Sequence, residues 1–421
     1  MQFPFIGSEL HKKIVFYIGN LSAFLFFSLL LPTPSGHSVA IVLALFASLL
    51  SIPLWIKKPI AKDVKYALIF FLLLGIFWSH TFDDIFAISL KGDYLLRYFL
   101  GALFIIAFSE IKIHPRSIVW GMAVGCVASG LLAIYQYQTI GRAEGFTNAV
   151  RYGNMALLMF LICFTASFIN YFDKKERILL FFCSIFGLIT SILSLSRGGW
   201  LVLLVLPFLI FYVINGKKKN IFYFIVAFLP ILFIFSSLPP VKDRILLVGM
   251  EVSGYFDDKE KFVHTSVGAR LEQWKTAILM GAEKPLTGWG DAGIEEGKLK
   301  YIESSISDPS IMNFRHAHND LLENWARRGA IGVIALIFIY IVPVYLLYLL
   351  YRKNKDSRGE MRELNKFLFV SGTSIFIAYS IFGLASVFFT FVISHNFYMF
   401  SLIFIFSSMY WLNSAQKTNL K

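Results

Sequence analysis

The stretch AIGVIALIFIYIVPVYLLYLLY, residues 330–351, carries no charged side chain and runs straight into Arg352, Lys353 and Lys355. As a helix rising about 1.5 Å per residue it is about 33 Å long, enough to cross the roughly 30 Å hydrocarbon layer of a bilayer. The basic cluster at its end marks the cytoplasmic flank of such a span. Working outward, apolar runs of the same kind fall at 14–32, 38–56, 66–80, 95–108, 117–138, 153–171, 178–195, 199–215, 221–238, 367–387 and 392–412. The composition agrees: of 421 residues 57% are hydrophobic and 15% charged, and the mean hydropathy is +0.67. Those values exclude an ordinary soluble domain, a disordered chain, a collagen-like fibre and a disulfide scaffold. They predict an all-α polytopic membrane protein of about 12 transmembrane helices. Phenylalanine occurs 45 times, which suits lipid-facing helix surfaces.

With the N-terminus in the cytoplasm, 22 basic residues fall on the inner side against 8 acidic ones, among them Lys12, Lys13, Lys57, Lys58 and Lys217 to Lys219. Lys91, Arg97, Arg142, Arg151 and Arg197 are the basic residues of the short outer segments. This asymmetry follows the positive-inside rule and places both termini in the cytoplasm. The net charge of +13 is therefore read as topology, and nucleic acid is not expected as a partner. Lys12 and Lys13 precede a first apolar run too long for a signal peptide, and Pro32-Thr33-Pro34 offers no cleavage site, so the first span is expected to stay as an anchor. Cys126, Cys163 and Cys183 fall inside predicted helices and read as small buried hydrophobes, with no disulfide and no metal site.

One segment breaks the rhythm of span and short loop. Residues 239–329, between the ninth and tenth spans, carry 14 of the 26 acidic residues. A structureless stretch of that length is uncommon, so it is expected to fold as short helices capping the outer face, a large periplasmic loop inserted within one membrane domain covering 1–421. Leu271, Trp274 and Ile278 recur at helical spacing. Lys284-Pro285 and Gly288-Trp289-Gly290 read as a turn, and His318 to Arg328 as a helix stopped at Gly329. The spans themselves are almost free of ionisable residues, Arg97 lying nearest to bilayer depth. Coupled transporters need such groups near the midplane. The polar residues gather on the outer face instead, which points to a surface enzyme rather than a pump.

Three strings there carry chemistry. Ser196-Arg197-Gly198-Gly199-Trp200 combines a turn, whose amides can face an anion, with a forked guanidinium; the same string also suits an arginine snorkelling at the interface. Arg270, in GARLEQW, is either a second cation of the site or a surface charge partnered with Glu272 or a nearby acid. His316-Ala317-His318-Asn319-Asp320 offers a His at a helix start, whose ordinary pKa near ~6.5 suits a general base at neutral pH. No further ligand sits at zinc spacing beside His316 and His318. A sugar hydroxyl gains from a base, and a diphosphate leaving group needs only cations to stabilise its charge. One His and two Arg on one face therefore suit glycosyl transfer from a diphosphate-linked donor. Arg142 and Arg151, in the loop after the fifth span, add donors for the diphosphate or donor sugar, or belong to a solvated loop. Asp83-Asp84 and Asp257-Asp258 are paired carboxylates suited to a divalent cation, an alternative that leaves the Arg and His residues unexplained.

The spacing His318-Asn319, nine residues, Gly329-Ala330-Ile331-Gly332, with Ser-Arg-Gly-Gly-Trp upstream and Arg270–Trp274 followed by Pro285-Leu286-Thr287-Gly288-Trp289-Gly290, resembles the bacterial O-antigen ligase family. The resemblance extends to the architecture and to the order Arg, Arg, His. It implies transfer of O-antigen from undecaprenyl diphosphate to the lipid A–core oligosaccharide on the periplasmic side of the inner membrane, without metal or other cofactor. It implies His318 as base and Arg197 and Arg270 as diphosphate clamps, with Arg142, Arg151, His316 and Asn319 as substrate-binding residues. Relatives in the same superfamily include O-antigen polymerases and protein O-oligosaccharyltransferases. A lipid-linked glycan flippase is the non-enzymatic alternative.

Overall fold

The computed structural model describes residues 8–79, 93–196, 198–204, 239–389 and 391–419. Among these the chain is helical, with no strand. The helices are α1 (Glu9–Leu29), α2 (Gly36–Trp55), α3 (Lys62–Ser79), α4 (Asp93–Ile111), α5 (Pro115–Ile140), α6 (Ala149–Ala166) and α7 (Lys174–Leu193). After a short 3-10 turn at Trp200–Leu204 come α8 (Pro239–Asp257), the single turn α9 (Lys259–Phe262), α10 (Ser266–Glu283) and α11 (Gly290–Glu303). The chain closes with α12 (Asp320–Lys353), α13 (Gly359–Ala385) and α14 (Val392–Asn419).

Among the described residues eight of these, α1, α2, α5, α6, α7, α12, α13 and α14, are long and apolar enough to cross a membrane. The molecule is an all-α polytopic membrane protein. Helices α3 and α4 carry the expected third and fourth spans and pack against α12, α2 and α14. The expected spans at 199–215 and 221–238 lie, beyond Leu204, outside the described residues.

Successive helices alternate in direction because their connections are short. The turns at 30–35, 141–148, 194–199 and 386–391 therefore gather at one end of the bundle with α8 to α11. At the opposite end basic residues meet acids across helices: Lys58 with Glu110 at 2.6 Å, Arg116 with Glu176 at 3.0 Å, and Lys353 with Asp63. Local signals set the boundaries. Asp173 and Glu176 form a reciprocal capping box at the start of α7, Asn148 caps α6 through the Val150 N–H, and Gly141 ends α5 in the left-handed conformation at φ 74°.

The phenylalanines correct one expectation. Many fill the interior instead of the lipid face: Phe26, Phe27, Phe104, Phe108, Phe397, Phe400 and Phe404 are buried where α1, α4 and α14 meet, with ring centroids as close as 4.9 Å between Phe26 and Phe400. In lipid there is no hydrophobic drive between helices, so interiors rely on dispersion and ring geometry, which large flat side chains supply. Cys126 and Cys163 are buried and Cys183 half-buried, all free thiols, as the sequence implies.

Candidate active site

The loop bearing the two histidines is held from three sides. From below, Asn319 caps α12: its side-chain oxygen accepts from the N–H groups of Leu321 and Leu322 at 3.0 and 3.1 Å. Its amide donates to the Leu384 carbonyl at 3.3 Å, at the end of α13. The adjacent Asp320 is buried and accepts from the Phe388 N–H at 3.2 Å, tying α12 to the turn between α13 and α14. From the side, the Trp274 indole of α10 donates to the Ala317 carbonyl at 2.9 Å. From within, buried Glu323 accepts from the Ala317 N–H at 2.6 Å and pairs with Arg327, which donates to the Arg315 carbonyl at 2.8 Å. His318 itself sits at φ 51°, a left-handed conformation uncommon for a residue other than glycine and held by these surrounding bonds. The histidine rings lie 4.3 Å apart between centroids, edge to face.

The Gly-x-x-Gly spacing has a backbone reason. At Gly329 (φ 58°, ψ −150°) α12 breaks into a short arm, 320–328, and the transmembrane part that follows. The arm crosses the Pro285–Gly290 turn with main chain against main chain: Ala330 N–H donates to the Pro285 carbonyl at 2.8 Å and Trp289 N–H to the Ala326 carbonyl at 2.9 Å. A Cβ on Gly329 would stand 2.5 Å from the Leu286 carbonyl carbon, and one on Gly288 would stand 2.3 Å from that of Arg327. Gly332 is needed where a Cβ would meet the Arg328 side chain at 2.3 Å. The stop expected at Gly329 is there.

Helix α10 forms where helical spacing predicts it, but its buried face is not the apolar one read from the sequence. Glu272, Gln273, Thr276, Ala277 and Met280 are buried, whereas Ile278 is exposed. Glu272 is tolerated because it is saturated: it accepts from the Tyr255 hydroxyl, from Lys259 at 2.9 Å and from the Asp308 N–H at 2.9 Å. Burial alone would raise its pKa, but these bonds outweigh it and hold the carboxyl below its ordinary value. Glu272 thus faces away from Arg270, and the surface ion pair between them does not form.

Arg270, one turn before Trp274, points into a cavity of about 380 Å³. Its walls include Arg142, Leu195, Ser196 and Gly198, Val150 and Asn154 of α6, Val248 and Glu251 of α8, and Ala385. Among the described residues no acid pairs with Arg270, and burial lowers its pKa. Arg142 donates to the Ser194 carbonyl at 3.0 Å. The glycines of the Ser-Arg-Gly-Gly-Trp string serve close packing rather than an unusual φ: a Cβ on Gly199 would fall 2.1 Å from the Asn154 side-chain oxygen. Arg197 itself lies outside the described residues, as do Asp83 and Asp84. Asp258 caps α9 through the Lys261 N–H at 3.4 Å, and among the described residues no three His, Cys, Asp or Glu gather to hold a metal ion.

His318 feels the charge of Arg270. Its pKa is lowered to about 4, first by burial, then by the charges of His316 and Arg270, so the imidazole is neutral at pH 7. The His316 pKa is also lowered, chiefly by burial. Asn154 is a wall residue the sequence reading missed: it is buried, and among the described residues its side-chain oxygen has no hydrogen-bond partner. The signal was a single amide within the apolar run Met155–Cys163 and its preceding turn.

One end of this polytopic helical membrane protein thus holds a half-buried guanidinium that no acid pairs with among the described residues, and whose charge reaches a neutral histidine. Residues 179–337 match the family model described as O-Antigen ligase, from α7 through the histidine loop into the transmembrane part of α12. The matched residues include Arg197, Arg270, His316, His318 and Asn319 but not Arg142 or Arg151. An uncharacterized protein of Haemophilus influenzae is 28% identical over 339 residues, spanning 77% of this chain and 83% of its own length.

Proposed function

We propose that the chain is an O-antigen ligase of the inner membrane, transferring O-antigen polysaccharide from undecaprenyl diphosphate to a hydroxyl of lipid A–core at the periplasmic face. The observation that carries this reading is Arg270, a half-buried cation with which no acid pairs among the described residues, opening on the same cavity as Arg142 and acting by its charge on the neutral His318. A buried unpaired charge is costly unless a ligand supplies its counterion, and a diphosphate supplies it. The family match supports a glycosyltransferase of lipid-linked glycans.

In this reading the acceptor hydroxyl gives its proton to His318 as its oxygen bonds to the anomeric carbon of the donor. The bond from that carbon to the diphosphate oxygen breaks, and its electron pair leaves with undecaprenyl diphosphate. Arg270, Arg142 and Arg197 stabilise the charge that grows on the leaving group, with no metal required. Asn319 acts as a positioning residue, because both ends of its amide are engaged in holding the His318 loop. The test is the lipopolysaccharide ladder of a deletion strain. Bare lipid A–core with accumulated long lipid-linked polymer supports ligation. Core capped with a single repeat indicates the polymerase activity instead, and an unaltered ladder contradicts both.

A further inference from the structure

Among the described residues, the cations expected to share one substrate do not share one cavity: Arg142 and Arg270 line the first, and Arg151 does not. The first turn of α6 divides them. Val150 and Asn154, four residues apart, face the Arg270 cavity, whereas Thr147 and Arg151, also four apart, face a second cavity of about 390 Å³. The second cavity is walled by Leu31, Thr33 and Ser35 of the α1–α2 turn, His37, Phe146 and Phe391, and it shares no wall residue with the first. Arg151 spends its Nε on the Thr147 hydroxyl at 3.1 Å and lies 3.6 Å from the centre of the Phe391 ring, but among the described residues no acid pairs with it. His37 is nine-tenths buried, and its Nδ1 has no hydrogen-bond partner.

The histidine pair is tied to both sides: Trp274, one turn after Arg270, donates to the Ala317 carbonyl between the two rings, and His316 approaches Phe391 of the second cavity. His316 lies 6.0 Å from the Phe391 ring and feels the charge of Arg151, while His318 feels that of Arg270. A displacement at an anomeric carbon needs its nucleophile on the side opposite the leaving group. With the diphosphate at Arg270, the incoming hydroxyl must arrive from beyond the histidines, where Arg151 waits.

We propose that the Arg151 cavity is the acceptor subsite and that it selects a sugar bearing an anionic group, phosphate or carboxylate, gripped by Arg151. This rests on the transferase reading above and moves Arg151 from the donor to the acceptor. The forked guanidinium, stacked on Phe391 and tethered by Thr147, presents its terminal nitrogens in fixed geometry, which suits an oxyanion and disfavours a neutral sugar.

The test uses the full chain in detergent, with thermal stabilisation as readout. The probes are glucose 6-phosphate, glucuronate and glucose for the acceptor site and inorganic pyrophosphate for the donor site, on wild type, Arg151→Gln and Arg270→Gln. The expected result is stabilisation by glucose 6-phosphate or glucuronate, but not glucose, that Arg151→Gln abolishes and Arg270→Gln keeps. Whichever of the two anions acts identifies the group selected. Pyrophosphate should behave the opposite way. Anionic-sugar binding that is absent, or that survives Arg151→Gln, overturns the acceptor assignment, whereas pyrophosphate binding indifferent to Arg270 undermines the donor reading. As a second measure, Arg151→Gln should raise KM for an anionic acceptor about 10–100-fold, the worth of one charge-assisted contact, and leave KM for the donor unchanged.

Discussion

His318 is kept neutral by its surroundings, and this fixes how activity should depend on pH. A base works only when unprotonated, so kcat/KM should stay level from pH 7 to pH 5 and fall as the pH drops through about 4, the value at which burial, His316 and Arg270 hold the imidazole. Arg270→Gln removes one of the two depressing charges and should move that acidic limb upward, though only in part, because burial is the larger cause. A pH profile of each enzyme checks this; a limb that does not move contradicts the coupling. Arg270→Lys should also be severe, because lysine keeps the charge and loses the fork that matches diphosphate oxygens; donor KM is the readout. At this scale the sequence was partly legible. The His-Asn string and the GARLEQW arginine stand out as polar residues on an apolar chain, and the charge of Arg270 reaches His318. Asn154 did not stand out, because its unmet oxygen comes from the packing of α6 against Gly199, which no local pattern encodes.

Among the elements, the broken helix α12 is the device that positions the base. Gly329→Ala adds a methyl group 2.5 Å from the Leu286 carbonyl carbon at a residue with φ 58°. It should cost about 1–3 kcal/mol or more and displace the arm that carries Asn319 and Glu323. Thermal unfolding and transfer activity should fall together. Asn319→Ala removes a helix cap worth about 1 kcal/mol, and its loss of activity should exceed its loss of stability, because the capping side chain also fixes His318. Equal, small losses in both would reduce Asn319 to an ordinary cap. The helical period of α10 was readable in the sequence and its buried face was not. Glu272 goes inward because Tyr255, Lys259 and the Asp308 amide, 13 or more residues away in the chain, converge on it. Such saturation depends on distant partners and leaves no trace in periodicity.

For the whole molecule, apolar run length marked about twelve spans, and eight of them are helices long and apolar enough to cross a membrane among the described residues, because bilayer thickness sets a length that a sequence must obey. The division of the site end into two cavities was not readable, since it arises from which side of α6 meets which turn. The basic asymmetry predicts that a reporter at Arg352–Lys355 reads cytoplasmic and one near Asp257 reads periplasmic; a cytoplasmic signal near Asp257 would place the site on the wrong face. The central claim, that this chain transfers glycan at that face with His318 as base, is tested most directly by purified protein given a defined lipid diphosphate donor and a lipid A–core acceptor. Wild type should transfer. His318→Ala should lose about 10²–10⁴-fold while still folding and binding donor, and His316→Ala should lose far less. Near-normal turnover by His318→Ala, with the loss falling on His316→Ala, would contradict the assignment.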